Sequence, residues 1–397
     1  MTDTEQEIRR TLRDVLDPIE PRPLSMQTVH RAKARRAVSA GLAGTTVMVV
    51  LALASWGLLT LGQSETPPKL PIAPPKGTGP YSTRVVDDRI VELETAEGSV
   101  WAVTCDRRCT NDGRNSQGRA VHLNAGSGMV ETSTKVHAPS NLAIGEGAVW
   151  IISFWDGTVT RIDPSTSSVA GIVALELPRE IAPGDRQFLP SHATAGEGAV
   201  WVSTGRGAVV RIDPETNQVA ATITTPGDTT GDLVAGEEAV WVTQNVFGLY
   251  RIDPATNRIV DEIPIEEGRR RLGIDEVAVG GGAVWVAGTW AEGSADATGH
   301  VEYVATDEQA VYRIDPQTNV STPLNVATDH GPIAFGEGSL WVTSHANAQL
   351  SRVDPNNGNV SQTLSLKRGE RLLGVGGGAV WVGDVEGGAR RIELVGP

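Results

Sequence analysis

One tryptophan, set between apolar neighbours, keeps returning along this chain, and it limits the possible folds more than any other feature. It stands in Val100-Trp101, Val149-Trp150, Val200-Trp201, Val240-Trp241, Val284-Trp285, Leu340-Trp341 and Val380-Trp381, at spacings of 40–56 residues. Five residues before six of these tryptophans lies a glycine (Gly145, Gly196, Gly236, Gly280, Gly336, Gly376), and Ala96 takes that place in the first copy. Arg-Ile-Asp-Pro follows in Arg161–Pro164, Arg211–Pro214, Arg251–Pro254 and Arg313–Pro316, with Arg352–Pro355 carrying Val in place of Ile. A fixed period of this length marks a repeat architecture, in which each unit buries its apolar face against the next.

Each copy reads as four short strands. Strand A is the apolar run before the glycine, such as Leu142–Ile144, and a Gly-Glu-Gly turn leads to strand B at Ala148-Val149-Trp150-Ile151. Strand C ends in Arg-Ile-Asp, where Pro cannot donate to a ladder and Asp favours a turn. Strand D alternates apolar and β-branched residues, as in Gln218–Ile223. Four strands per unit and seven units predict an all-β, seven-bladed β-propeller over residues 81–397. The last copy stops at Arg390-Arg391-Ile392-Glu393-Leu394, its strand C. Ser82-Thr83-Arg84-Val85-Val86 precedes the first strand A and is the expected outer strand of the seventh blade, sealing the ring and covering an edge.

This Gly-x-Gly-x-Val-Trp-Val … Arg-Ile-Asp-Pro-x-Thr-Asn-x-Val pattern resembles the YVTN-type and streptogramin B lyase-like seven-bladed propellers, over roughly residues 82–397. The resemblance implies the propeller fold. Its lyase branch eliminates across an ester of a cyclic peptide antibiotic with a metal held by His and Glu residues on one face. Blades of that branch commonly carry Trp-Phe-Thr-Glu, whereas this chain has Trp-Val-Ser, Trp-Val-Thr, Trp-Val-Ala and Trp-Val-Gly. The acidic position is missing, so the lyase's catalytic residues do not transfer one by one.

The N-terminal part has a different composition. Ala37 to Leu61 is a run of 25 residues without a charge, longer than the roughly 20 that a membrane-spanning helix needs. Arg31, Lys33, Arg35 and Arg36 precede it, which predicts a cytoplasmic tail over 1–36 and an extracytoplasmic remainder. The tail reads as a short helix, with Ile8, Leu12, Val15 and Leu16 on one face. Ala52-Leu53-Ala54 also has the form of a signal cleavage site, but the apolar run continues past it, so an uncleaved anchor is the expectation. Residues 62–80 are proline-rich and predict a semi-rigid stalk. The overall charge of −14 argues against a nucleic-acid partner, because phosphate backbones are held by clustered positive charge.

In a four-stranded meander the A–B and C–D turns fall on one face and the B–C and D–A connections on the other. Here the first set is short and uniform. The second holds the irregular segments: Thr104–Gly118, Phe154–Gly157, Gln244–Gly248 and Thr289–Gln309, and also Pro178–Ser191, Glu266–Gly273 and Thr328–Gly331. Ligands are expected on this variable face. Trp155, Phe247 and Trp290 are candidates to stack on sugars, peptides or flat molecules, with His330 and His345 nearby. His137, Glu292 and Asp329 complete the loop residues able to move a proton.

At the start of the innermost strands stands a column of Glu92, Asn141, His192, Asp232, Glu276, Pro332 and Leu372. It should line the mouth of the central channel. Glu92, His192, Asp232 and Glu276 could hold a divalent cation, Ca²⁺ or Mg²⁺ by their oxygen donors, or simply form solvated walls. Cys105 and Cys109 are expected to pair as a disulfide closing the first B–C loop. No Walker motif and no Gly-x-Ser-x-Gly elbow is present.

The sequence therefore predicts a membrane-anchored binding module for a cell-wall glycan, peptide or envelope protein. The alternative is a metal-dependent lyase or hydrolase. Deleting residues 81–87 should lower the melting temperature of the whole ring by several degrees, and an unchanged melting curve would remove the closing role of that strand.

Overall fold

A computed structural model describes residues 89–394 except 97, 106–115, 176–189, 206, 227–229, 245–246, 296–300 and 384–388. The tail, the apolar segment, the stalk, the strand at 82–86 and Cys109 lie outside the described residues. Within them no helix is long and apolar enough to cross a membrane.

The described residues form seven antiparallel sheets, each a meander in chain order, arranged as the blades of a propeller. Blade 2 shows the pattern: Pro139–Gly145, Ala148–Ser153, Thr158–Asp163 and Ser168–Ala174, from the inner strand A to the outer strand D. Blades 1, 3, 4 and 6 repeat it. Blade 7 has three strands among the described residues, Arg371–Gly376, Ala379–Gly383 and Ala389–Glu393.

Blade 5 differs from the sequence reading in two places. The segment expected as a loop, Thr289–Gln309, continues the ladder of the strands Val284–Ala295 and Val301–Ile314, so it projects as a β-hairpin. Within the connection expected at Glu266–Gly273, Glu266–Glu267 pairs with Arg270 and Arg271 as a fifth short strand. Backbone groups that a loop would leave to water are here satisfied by pairing.

All seven repeat tryptophans are fully buried. Each packs into the neighbouring blade: Trp101 against Leu142, Ile144, Val149 and Ile151, and Trp150 against Val200, Val202 and Ile212. The series ends with Trp381 against Leu93, Val100 and Val121, so the last blade closes on the first. Side chains alternate across a strand. In Val-Trp-Val the tryptophan therefore faces one neighbour while the flanking residues receive the tryptophan of the other.

The glycine five residues upstream has two tasks. Its carbonyl accepts the indole N–H, at 3.0–3.3 Å in blades 2 to 7. It also lies against the next blade: a Cβ at Gly336 would stand 2.6 Å from the Val375 carbonyl oxygen, and one at Gly376 2.6 Å from Thr95 Oγ1. In the first copy, where Ala96 replaces the glycine, Trp101 Nε1 has no hydrogen-bond partner among the described residues.

The arginine of Arg-Ile-Asp-Pro lies across the ladder from the tryptophan and covers its ring, as Arg161 does over Trp150 at 5.3 Å and Arg211 over Trp201 at 5.6 Å. In blade 1 His122 takes that place, stacked on Trp101 at 4.6 Å. The aspartate accepts the N–H groups two and three residues on, as Asp213 does from Glu215 and Thr216, and these bonds hold its pKa below the usual carboxylate value.

The short turns also join the blades. In Gly-Glu-Gly the glutamate has a positive φ, 51° at Glu146 and 50° at Glu337. Its carboxylate accepts an N–H from the next blade's turn: Glu146 from Gly198, Glu197 from Glu238 and Glu337 from Gly378, and Glu237 of the Gly-Glu-Glu turn does the same from Gly282. Blade 7 meets blade 1 through Thr95 Oγ1 donating to the Val375 carbonyl at 2.6 Å and Arg391 Nε donating to the Ala125 carbonyl at 2.7 Å. Blade 7 also holds a buried two-point pair, Arg390 to Glu370 at 3.1 and 2.6 Å.

These contacts rank the glycines. Gly336→Ala forces backbone apart between two blades and should cost about 2–3 kcal/mol. Gly338→Ala meets open space and strains only its own φ of +68°, at about 1 kcal/mol. Urea titration of the two variants checks the order.

Candidate functional site

Strand A of each blade runs from the variable face to the face of short turns, so its first residues stand at the channel mouth on the variable side. The polar column is delivered there. Glu92, Asn141, His192, Asp232, Glu276, Pro332 and Leu372 all line one cavity of about 480 Å³, with Glu94, Asp275 and Arg371 beside them. Every strand A breaks its pairing register at this level, for example between Ile90 and Glu92, Pro139 and Asn141, and Ile274 and Glu276. Such a bulge re-aims a side chain.

The inner edge of strand A is a sheet edge, and its outward N–H groups lack a ladder partner. The column supplies several of their acceptors. Asn141 Oδ1 accepts from Ala193 N–H at 2.9 Å, and Asp232 accepts from Leu233 N–H at 2.9 Å and from Val277 N–H at 3.2 Å. Two residues further along, Glu94 accepts from Ile144 N–H and Thr194 from Ala235 N–H. The acceptors on one blade thus bind backbone donors of the next.

The expected cation site at Glu92, His192, Asp232 and Glu276 does not assemble. Among the described residues no three His, Cys, Asp or Glu side chains are grouped so that they could hold a metal ion. The reason lies in the donors. Both oxygens of Asp232 and one of Glu92 are turned to backbone N–H groups. Among the described residues, the metal implied by the lyase resemblance therefore finds no ligand set. His192 lines the cavity with its Nδ1 buried and without a hydrogen-bond partner among the described residues.

The carboxyls of this wall are driven towards their neutral forms. Burial raises Glu92 and Asp232, although Arg371 pulls Glu92 down and His192 pulls down both. Burial lifts Glu94 to about 8, against the pull of its bond from Ile144. Glu276 reaches about 8 through burial and the negative charges of Asp232, Asp275 and Glu92, with Arg371 opposing.

The loop candidates divide. Trp155 is half-buried in the middle of a short 3-10 turn, Phe154–Asp156, with Phe154 edge-on at 5.0 Å. It lines a second cavity of about 410 Å³ on the variable face. Phe247 is half-buried against Tyr303 of the blade 5 hairpin, at 4.6 Å. Trp290 is 2 % exposed, edge-on to Tyr312 and under Arg270 at 4.8 Å, so it packs the base of the hairpin and is not open to a ligand. The sequence placed it in a loop. The extension of both strands turned it inward.

His345 is exposed in the blade 6 B–C turn, whose N–H groups at His345 and Ala346 donate to Asp329. His330 opens the strand His330–Gly336. His137 bonds Asp156 at 2.6 Å. Cys105 is disulfide-bonded, and the chain's one other cysteine is Cys109. Arg371 is the site residue that sequence reasoning missed. It precedes the column by one position, and only the cavity's geometry brings it forward.

No protein-family model matches the sequence, and no curated protein matches it. Solved structures do resemble it in fold. Kuenenia stuttgartiensis hydrazine synthase is 11% identical, with 78% of this chain and 97% of that chain covered and a TM-score of 0.55. The Neurospora crassa Pan2 WD40 domain is 12% identical, with 78% and 92% covered and a TM-score of 0.54. At this identity the likeness establishes the propeller fold alone.

The raised carboxyls set a pH dependence. Between about pH 4.5 and 8 the folded chain holds protons on Glu94 and Glu276 that the unfolded chain releases. Stability therefore falls as pH rises through that window. Glu276→Gln should raise stability at pH 8.5 by on the order of 1 kcal/mol and leave it unchanged at pH 4. Denaturation midpoints at the two pH values check this.

Proposed function

We propose that this protein is a single-pass membrane protein, anchored by residues 37–61. Its propeller stands outside the membrane and serves as a binding module for a cell-envelope ligand. The ligand, a cell-wall glycan, a peptide or a partner protein, is taken on the variable face around the channel mouth. One observation carries this reading: both cavities and the projecting hairpin lie on the same face, opposite the uniform short turns. Binding sites concentrate on irregular loops held by a rigid scaffold, and cavities of about 300–1,000 Å³ are the usual size for small-molecule recognition. The 25-residue apolar run, the basic residues before it and the proline-rich segment after it support the anchored, outward orientation.

The second reading, a metal-dependent lyase or hydrolase, has less support. Its metal needs a ligand group that the described residues do not provide.

Sedimentation of the purified full-length chain with isolated cell-wall sacculi tests the proposal. The wild type should co-sediment, and Trp155→Ala should reduce the bound fraction at least fivefold with its melting temperature retained. Equal capture by both would overturn the assignment of the variable face.

A further inference from the structure

The second cavity has a chemical character of its own. It opens where blades 7, 1 and 2 start their inner strands, walled by Arg89, Ile90 and Val91, by Pro139, by Phe154 and Trp155, and by Arg371. In a chain of net charge −14, this wall holds two arginines and no acid. Neither arginine forms an ion pair within 4.0 Å among the described residues. Arg371 Nη2 donates to the Val91 carbonyl at 3.0 Å, which fixes its side chain across the junction of blades 7 and 1 and leaves further guanidinium N–H groups. The nearest acid of the aromatic turn, Asp156, is engaged by His137 at 2.6 Å.

Opposite the guanidinium groups stands an apolar shelf. Phe154 and Trp155 meet edge to face at 5.0 Å, and both remain half-buried instead of joining a blade core. An aromatic face beside polar groups suits the flat face of a ring. A guanidinium suits a carboxylate, which it can grip by two parallel hydrogen bonds.

We infer that this cavity binds a ring bearing a carboxylate, the ring laid on Trp155 and the carboxylate held by Arg371 and Arg89. The assignment rests on the variable face being the binding face and names the class of ligand it takes. Two sources share this chemistry, an acidic sugar of an envelope glycan and an aromatic acid. Arg371 also faces the channel carboxyls, where burial pushes Glu92 and Glu276 up and its guanidinium pulls both down. The two cavities share Arg371 as a common wall.

Calorimetric titration of the purified full-length chain with methyl glucuronide, methyl glucoside and benzoate tests the inference. Saturable binding of the glucuronide at least tenfold tighter than the neutral glucoside supports it and identifies the sugar source. The same preference for benzoate over the glucoside supports it with the aromatic source. Arg371→Gln and Trp155→Ala should each weaken the bound acid at least tenfold. Arg89→Gln, which breaks no hydrogen bond among the described residues, should weaken it three- to tenfold and keeps the test decisive if Arg371→Gln loosens the blade junction. Equal binding of acid and glucoside, binding indifferent to all three substitutions, or binding of none of the probes would overturn it. If sacculi are still captured while no acid binds, the ligand class fails and the variable face stands. If both are lost, the proposed function fails with it.

Discussion

Every other feature of this molecule depends on the passage of one indole from each blade into the next. A sheet two or three side chains wide cannot bury both its faces alone, and here each blade supplies the core of its neighbour. The tryptophan is the largest apolar side chain available and buries on the order of 200 Å². Its N–H would be costly if left unpaired in such a place, and the carbonyl five residues upstream meets it. That carbonyl belongs to a glycine because the next blade, by backbone at Gly145 and Gly336 and by side chain at the others, comes within about 3 Å of where a Cβ would stand. Close approach, indole burial and indole hydrogen bond are thus one constraint with three readings. The arginine on the ring and the turn glutamate reaching across to the next turn extend it outward and along the short-turn face.

The channel follows from the same arrangement. Turning seven sheets radially exposes seven inner edges, and an edge strand presents donors with no ladder partner. The column of Asn, Asp and Glu residues answers those donors from the preceding blade. It makes the mouth polar for a structural reason before any ligand is considered. The carboxyls crowd one another there, away from bulk water, and their pKa values rise. The scheme is interrupted at His192, at Arg371, and in the aromatic turn of blade 2.

Much of this was legible in the chain. The blade number, the four-strand unit, the inter-blade role of the tryptophans and the split between a uniform and an irregular face follow from spacing and turn residues, because a repeat states its rule seven times. The column's position at the channel mouth also follows from strand alternation. Trp290 was misread because strand ends are weakly marked in sequence: Thr289 to Ala295 could be loop or ladder, and pairing with Val301 to Gln309 decided it. Glu92, His192, Asp232 and Glu276 do line one cavity, yet among the described residues they form no group able to hold a metal. Residue types show what an oxygen could bind, but the bulges that turn Asp232 to Leu233 and Val277 are absent from any pattern of letters. Gly-Glu-Gly was legible as a turn, but not the positive φ and the cross-blade hydrogen bond of its glutamate.

The sequence by itself determined the ring: a period near 45 residues, a tryptophan that must be covered and a glycine that must be bare leave one way to bury every copy. The tertiary structure alone decided the lining of the second cavity. Arg89, Trp155 and Arg371 are separated by up to 282 residues along the chain and share no motif. They meet because the last blade closes on the first and the second begins beside them. Local sequence sets what each strand buries, while the neighbours of a loop residue depend on where the ring ends.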